Sequence, residues 1–265
     1  MRLSRFLKLA SVSSFLAFAL FVTIGMKAPA WKVVEASSLN QITSIHATIP
    51  ATLTLGAIKD NTIFEATDNS GGASEEVLAG QTNHAGARRA LFAFDLSQVA
   101  TDTELLSVTL RLQVEQVKTS TGLPFTLHKV ASDWGEAGSS ATQGQGAPAQ
   151  SGDATWSYAF FTATQWSNVG GDFVATASAT TTVGGTGSYE WSSPQLLNDV
   201  ESWLANPTGN FGWMLIGDET SPGSAKHFIS REGTPTSERP QLILTYAQRV
   251  TETPPIPIYL PLVQR

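Results

Sequence analysis

The chain has 265 residues and no cysteine, and only 14% of its residues are charged, against roughly 25% for an average soluble domain. The absence of cysteine excludes a disulfide scaffold, a zinc ribbon, an iron–sulfur site, a thiol nucleophile and lipobox acylation. The formal charge of −6 argues against a nucleic-acid partner, whose phosphates need a basic surface.

The N-terminus carries a targeting pattern. Arg2, Arg5 and Lys8 precede a mostly apolar run from Leu9 to Ile24, and small-residue sites follow at Ala28-Pro29-Ala30 and Val34-Glu35-Ala36. These are the three parts of a secretory signal, so residues 1–30 are expected to be a signal peptide, cleaved after Ala30 or Ala36. The apolar run is short for a bilayer span, so no span is expected after cleavage. Cleavage at Ala30 removes four cations and no anion, which moves the balance from −6 to −10. Residues 31–44 read as a linker.

From residue 45 to 247 the dominant period is two, which places one face of a strand on a core and the other in water. Thr52–Leu55 alternates, and Ser107–Val114 alternates most cleanly. Ala90-Leu91-Phe92-Ala93-Phe94 is apolar on both faces, as a central strand is. Phe125–Val130, Phe211–Ile216, His227–Ser230 and Gln241–Tyr246 continue the series, with turn clusters rich in Gly, Pro and Asn between them. Many short strands separated by such turns predict an all-β fold. The expected architecture is a single jelly-roll-type β-sandwich with one short amphipathic helix. For the helix, Ser193 is a cap, Pro194 suits the first helical position, and Leu196, Leu197, Val200, Trp203 and Leu204 share a face. Asn206-Pro207 ends it, and Trp203 is expected to plug the core.

Residues 136–170 break the pattern. Gly135 to Gly152 has almost no apolar bulk, and a long loop in a small domain is often functional. Trp134 stands before it, and Trp156 and Trp166 stand after its barest part. Indole offers a large apolar face with a polar edge, so these three tryptophans are candidate sugar platforms, with Asp133 and Asp153 as candidate partners for hydroxyls. Burial in the core is the alternative for all three. The C-terminal residues 248–265 read as a proline-rich tail ending in Ile258-Tyr259-Leu260-Pro261-Leu262-Val263.

Catalytic motifs are absent: no G-x-S-x-G, no H-E-x-x-H, no phosphate-binding loop and no EF-hand loop. His46, His84, His128 and His227 share no ligand spacing, which disfavours a histidine metal site. Asp133, Glu136, Asp153, Asp218 and Glu219 are the loop carboxylates from which an acid/base pair or a structural calcium site would be drawn. Solvated surface is their ordinary place, and no cofactor is expected.

Taken together, Lys59-Asp60-Asn61-Thr62-Ile63, Arg88–Leu96, Ser107–Leu112, Leu127–Val130, Asp133-Trp134-Gly135-Glu136, Asp199–Leu204, Asn210–Ile216, Phe228-Ile229-Ser230-Arg231-Glu232 and Arg239-Pro240-Gln241-Leu242 resemble, in order and spacing, the DNRLRE domain of secreted bacterial and archaeal proteins. That family is related to carbohydrate-binding module family 96. The resemblance covers residues 50–247 and implies a jelly-roll sandwich found alone or attached to surface and polysaccharide-active proteins. Two departures stand out: Glu136–Tyr189 is longer than in the usual domain, and the chain is acidic where a binder of acidic polysaccharide would be basic. Asp60, Arg231 and Glu232 occupy motif positions, and their expected role is structural, through charge-assisted hydrogen bonds.

The function expected is that of a secreted, non-catalytic module at or near the cell surface, with a polysaccharide or another surface component as partner. A structural or adhesion domain that recognises protein is the alternative. A polysaccharide lyase or hydrolase is a third reading.

Overall fold

The computed structural model describes residues 48–249, apart from 66, 85, 102 and 141–143. The expected signal peptide, the expected linker and most of the proline-rich tail lie outside the described residues. Among the described residues, no helix is long and apolar enough to cross a membrane.

In chain order the elements are β1 (Thr48–Phe64), β2 (Asn69–Ser70), β3 (Glu76–Gln81), β4 (Ala87–Phe94), β5 (Glu104–Val117), β6 (Leu123–Lys129), β7 (Ala147–Pro148), β8 (Tyr158–Phe160), β9 (Thr164–Gln165), β10 (Ala179–Val183), β11 (Gly187–Ser192), α1 (Pro194–Ala205), β12 (Trp213–Ile216), β13 (Lys226–Ile229) and β14 (Gln241–Arg249). All ladders are antiparallel. In one sheet β14 lies between the first half of β1 and β5, β11 and β13 also pair with β5, and β3 pairs with β13. In the other the order is β10-β6-β12-β4-β1-β2-β7. Strands β1 and β3 each pass from one sheet to the other. The fold is an all-β sandwich with, among the described residues, a single α-helix, as the alternating pattern predicts.

A bulge in β1 decides which side chains face inward. Ala57 pairs with Phe94 and Lys59 with Ala93, so one extra residue, Ile58, sits in β1. An extra residue inverts the face of everything after it. Leu55 and Ala57 meet the inter-sheet core. Beyond the bulge, Lys59, Asn61 and Ile63 lie on the opposite face of the second sheet, and Asp60 and Thr62 share the other one.

Two hydrophobic clusters result. The larger fills the space between the sheets, with Ala90, Phe92, Phe94, Val108, Leu110, Leu112, Trp191, Trp213 and Leu215 among its members. Helix α1 closes one end of it through Leu196, Val200, Trp203 and Leu204. Ser193 caps the helix by accepting from the Leu196 N–H at 3.0 Å. Asp199 then ties the helix to the sheet, accepting from Trp213 Nε1 at 2.9 Å and from Ser178 Oγ at 2.5 Å. Trp203 is buried against Trp213, ring centroids 4.5 Å apart, so it is the core plug that its helical position predicts.

The second cluster lies on the outer face of the second sheet. Ile63, Leu91, Ala93 and Met214 supply its floor, and Trp134, Ala154, Ala159 and Trp166 its roof. Strand alternation explains the floor: Leu91 and Ala93 point away from Phe92 and Phe94. The apolar-on-both-faces sequence of β4 thus serves two cores. Gly135 and Gly171 permit the close approach of the roof. A Cβ on Gly135 would collide with the Gly152 carbonyl, and one on Gly171 (φ +103°) with the Met214 side chain.

Candidate functional site

The structure corrects the three-tryptophan platform. Trp134 is 0% exposed and Trp166 6% exposed. Each donates its indole N–H to a backbone carbonyl, Trp134 to Phe211 and Trp166 to Thr155, both at 2.8 Å. Their rings are roof beams of the second cluster, because burying indole over Leu91 and Met214 removes far more apolar area from water than a surface pose does. A buried ring offers no face to a sugar, so neither is a stacking platform.

Asp153 is also withdrawn from the ligand list. It is fully buried, and its two oxygens accept from the backbone N–H groups of Ala137 at 2.6 Å and Gln150 at 2.8 Å. It pins the two ends of the glycine-rich stretch together. Asp133 remains exposed, but it pairs with Lys59 at 2.8 Å and accepts from the Trp134 N–H at 2.8 Å. Lys59 in turn sits 4.3 Å from the centre of the Trp134 ring.

Trp156 is different. It is half-buried and lines a cleft of about 630 Å³ together with Glu65, Thr67, Asp68, Gly86 and Ser157. Its ring is braced by Arg89, whose guanidinium carbon lies 4.6 Å from the ring centre. Arg89 is itself fixed: Glu219 accepts from it at 2.7 and 2.9 Å, and the Gly170 carbonyl accepts at 2.8 Å. A planar guanidinium held by a bidentate carboxylate orients the indole rigidly. Of the three tryptophans, Trp156 alone is not buried, and its cleft is lined by carboxylates and hydroxyls.

A second, smaller cavity of about 270 Å³ brings together His84 and His227, which the sequence separates widely, along with Asn83, Gln116, Lys118 and Gln145. His227 Nδ1 lies 2.6 Å from Glu76.

The motif residues Asp60, Arg231 and Glu232 converge, and Glu136 joins them. Asp60 Oδ2 accepts from the Arg231 backbone N–H at 2.7 Å. The Arg231 guanidinium bonds Glu136 at 2.8 Å and Glu232 at 3.0 Å. One carboxylate oxygen from each of Asp60, Glu136 and Glu232 lies within 4.8 Å of the others. Asp60 is 0% exposed and its Oδ1 has no hydrogen-bond partner. Burial pushes the Asp60 carboxyl well above the usual carboxylate range; the Arg231 N–H opposes this, and the neighbouring Glu232 and Glu136 reinforce it. Burial likewise raises Glu136, against the pull of Arg231. Asp60 and Arg231 meet across 171 positions of sequence, and Glu136 is the member that the sequence does not group with them. The signal that was available is the pair of acidic residues placed two after Trp134 and one after Arg231.

Compared with protein-family models and with curated proteins, the chain matches none.

Proposed function

We propose that the chain is a secreted, non-catalytic β-sandwich module that binds carbohydrate at or near the cell surface, using the Trp156 cleft. The observation that carries this reading is the braced, partly exposed indole of Trp156 beside Glu65, Thr67, Asp68 and Ser157. Indole stacks on the C–H face of a sugar, and carboxylates and hydroxyls take its hydroxyl groups. The acidic lining favours neutral sugars, since a uronate carboxylate would face Glu65 and Asp68. The resemblance to DNRLRE domains supports the same reading.

The test is affinity electrophoresis and calorimetry against neutral and acidic polysaccharides, with Trp156→Ala beside the unaltered chain. Binding of a neutral polysaccharide that falls about tenfold or more in the variant is expected, the usual loss for a central aromatic contact. An unchanged affinity in Trp156→Ala would remove the cleft from the reading. No binding to any polysaccharide would favour the second reading, a structural or adhesion domain, which draws support from the burial of Trp134 and Trp166.

A further inference from the structure

The cluster where β1, the segment after Trp134 and the turn after β13 meet has a charge and hydrogen-bond deficit. Three carboxylates, Asp60, Glu136 and Glu232, gather around Arg231, whose guanidinium bonds Glu136 and Glu232 and whose backbone N–H bonds Asp60. With all three ionised, these carboxylates and Arg231 carry a net charge of −2. The Arg239 guanidinium donates to the Glu232 and Gly233 backbone carbonyls and makes no bond to any of the three carboxylates. Lys59, on the opposite face of β1, is bound to Asp133 and the Trp134 carbonyl.

A single unused oxygen is the second observation, since Ser230 Oγ reaches Glu232 Oε2 at 3.4 Å and the Asp60 backbone N–H serves Glu136. Arg231 takes Oε1 of Glu136 and Oε1 of Glu232, and the Arg231 backbone takes Oδ2 of Asp60. Asp60 Oδ1 is left fully buried with no partner, a state that costs the whole desolvation of that atom. Buried polar atoms in native proteins are satisfied by protein, water or an ion.

We propose that Asp60, Glu136 and Glu232 together bind one Ca²⁺, with Asp60 Oδ1 as its innermost ligand. Calcium takes six to eight oxygens at about 2.3–2.6 Å in irregular geometry. Two oxygens 2.4 Å from a common ion lie up to about 4.8 Å apart, and the three carboxylates meet that separation. Side chains with no nitrogen or sulfur donor suit a hard cation and disfavour zinc or copper. One divalent ion neutralises the excess of two negative charges. It also fastens the start of the long roof segment, through Glu136, to the edge of the sandwich. This assignment is independent of the carbohydrate reading.

The test uses the full chain, stripped with EDTA and moved into chelator-free buffer. CaCl2 is titrated by calorimetry and by thermal unfolding, with MgCl2 in parallel and KCl at matched ionic strength. One saturable Ca²⁺ site per chain is expected. The unfolding midpoint should rise by roughly 5 °C or more at a hundredfold excess over Kd. Asp60→Asn retains the acceptor for the Arg231 N–H and should fold, with Ca²⁺ affinity at least about tenfold lower, the scale of losing one ligand charge. Glu232→Gln, at a half-buried position, should lose affinity similarly and serves if Asp60→Asn does not fold. A midpoint that follows ionic strength alone, or equal Ca²⁺ binding in Glu232→Gln, would overturn the site. Tighter binding of Mg²⁺ than Ca²⁺ would overturn the choice of ion.

Discussion

The two hydrophobic clusters face opposite sides of the same strands, and they are built differently. The inter-sheet cluster is enclosed by long ladders: β1 with β14, β14 with β5 and β5 with β11. The outer cluster has long ladders only for its floor; its roof has only the short β2–β7 and β8–β9 pairings. Its roof is a segment of glycine, serine and short strands, tied to the floor by scattered hydrogen bonds such as those from Asn61 to the Gly135 and Ala154 carbonyls, from Lys59 to the Trp134 carbonyl, from Trp134 to Phe211 and from Arg89 to Gly170, and braced internally by Asp153. Burial is equally complete in both, since Trp134 and Trp213 are each 0% exposed. Burial therefore measures the local packing and not the cooperativity of the segment that supplies it. A roof tied down at a few points opens at lower free energy than a sandwich closed by continuous ladders.

Replacing one tryptophan from each cluster separates the two. Trp213→Ala removes an inter-sheet ring, its contact with Trp203 and its bond to Asp199. It should lower global stability by about 4 kcal/mol, within the range for buried tryptophan truncation, read as a shift in the midpoint of urea unfolding. Trp134→Ala, which removes an equally buried ring, should cost about 3 kcal/mol in roof stability with a smaller shift of the global midpoint. The readout is limited proteolysis at neutral pH: cleavage should concentrate between residues 136 and 170 while the strands of the sandwich stay intact. If Trp134→Ala moves the global midpoint as far as Trp213→Ala, the roof and the sandwich unfold as one unit and the distinction fails.

The same contrast explains what was legible in the sequence. β5 was readable because Ser107–Val114 alternates cleanly, and α1 because Ser193, Pro194 and the spaced apolar residues all agree. β4 was readable as a central strand, although its second apolar face serves a loop-built cluster and not another sheet. The roof was not readable, because glycine and serine carry no period and the burial of Trp134 and Trp166 depends on a floor assembled from β1, β4 and β12. A tryptophan beside a polar loop reads alike whether it points out or in. The place of Glu136 beside the motif residues Asp60, Arg231 and Glu232 was hidden for a related reason. The bulge at Ile58 decides that Asp60 faces the inside of the sandwich, and a one-residue insertion leaves no trace in composition. Glu136 and Glu232 reach it from separate loops, so only the fold makes them neighbours.

The smallest effect expected is an acid response confined to the roof. Asp172 clamps the far end of the segment. It accepts from the Ser167 and Asn168 backbone N–H groups at 2.8 Å each, from Asn168 Nδ2 at 3.1 Å and from Ser132 Oγ at 3.2 Å. Burial works against its ionisation, but these bonds outweigh it and hold the carboxyl below its ordinary value of 3.8. A carboxyl with a depressed folded pKa stabilises fully above the unfolded pKa, and that stabilisation is lost as pH falls through the folded one. Protection factors of the Ser167 and Asn168 amides, corrected for intrinsic exchange, should therefore fall as pH drops below about 4, while those of β5 and β14 hold. Asp172→Asn keeps an acceptor but loses the charge, and should cost the roof about 1–2 kcal/mol at neutral pH with no further acid response. A parallel loss of protection in β5 would show that acid acts on the sandwich as a whole, and Asp172 would then be one carboxylate among many and not the clamp of a separately opening roof.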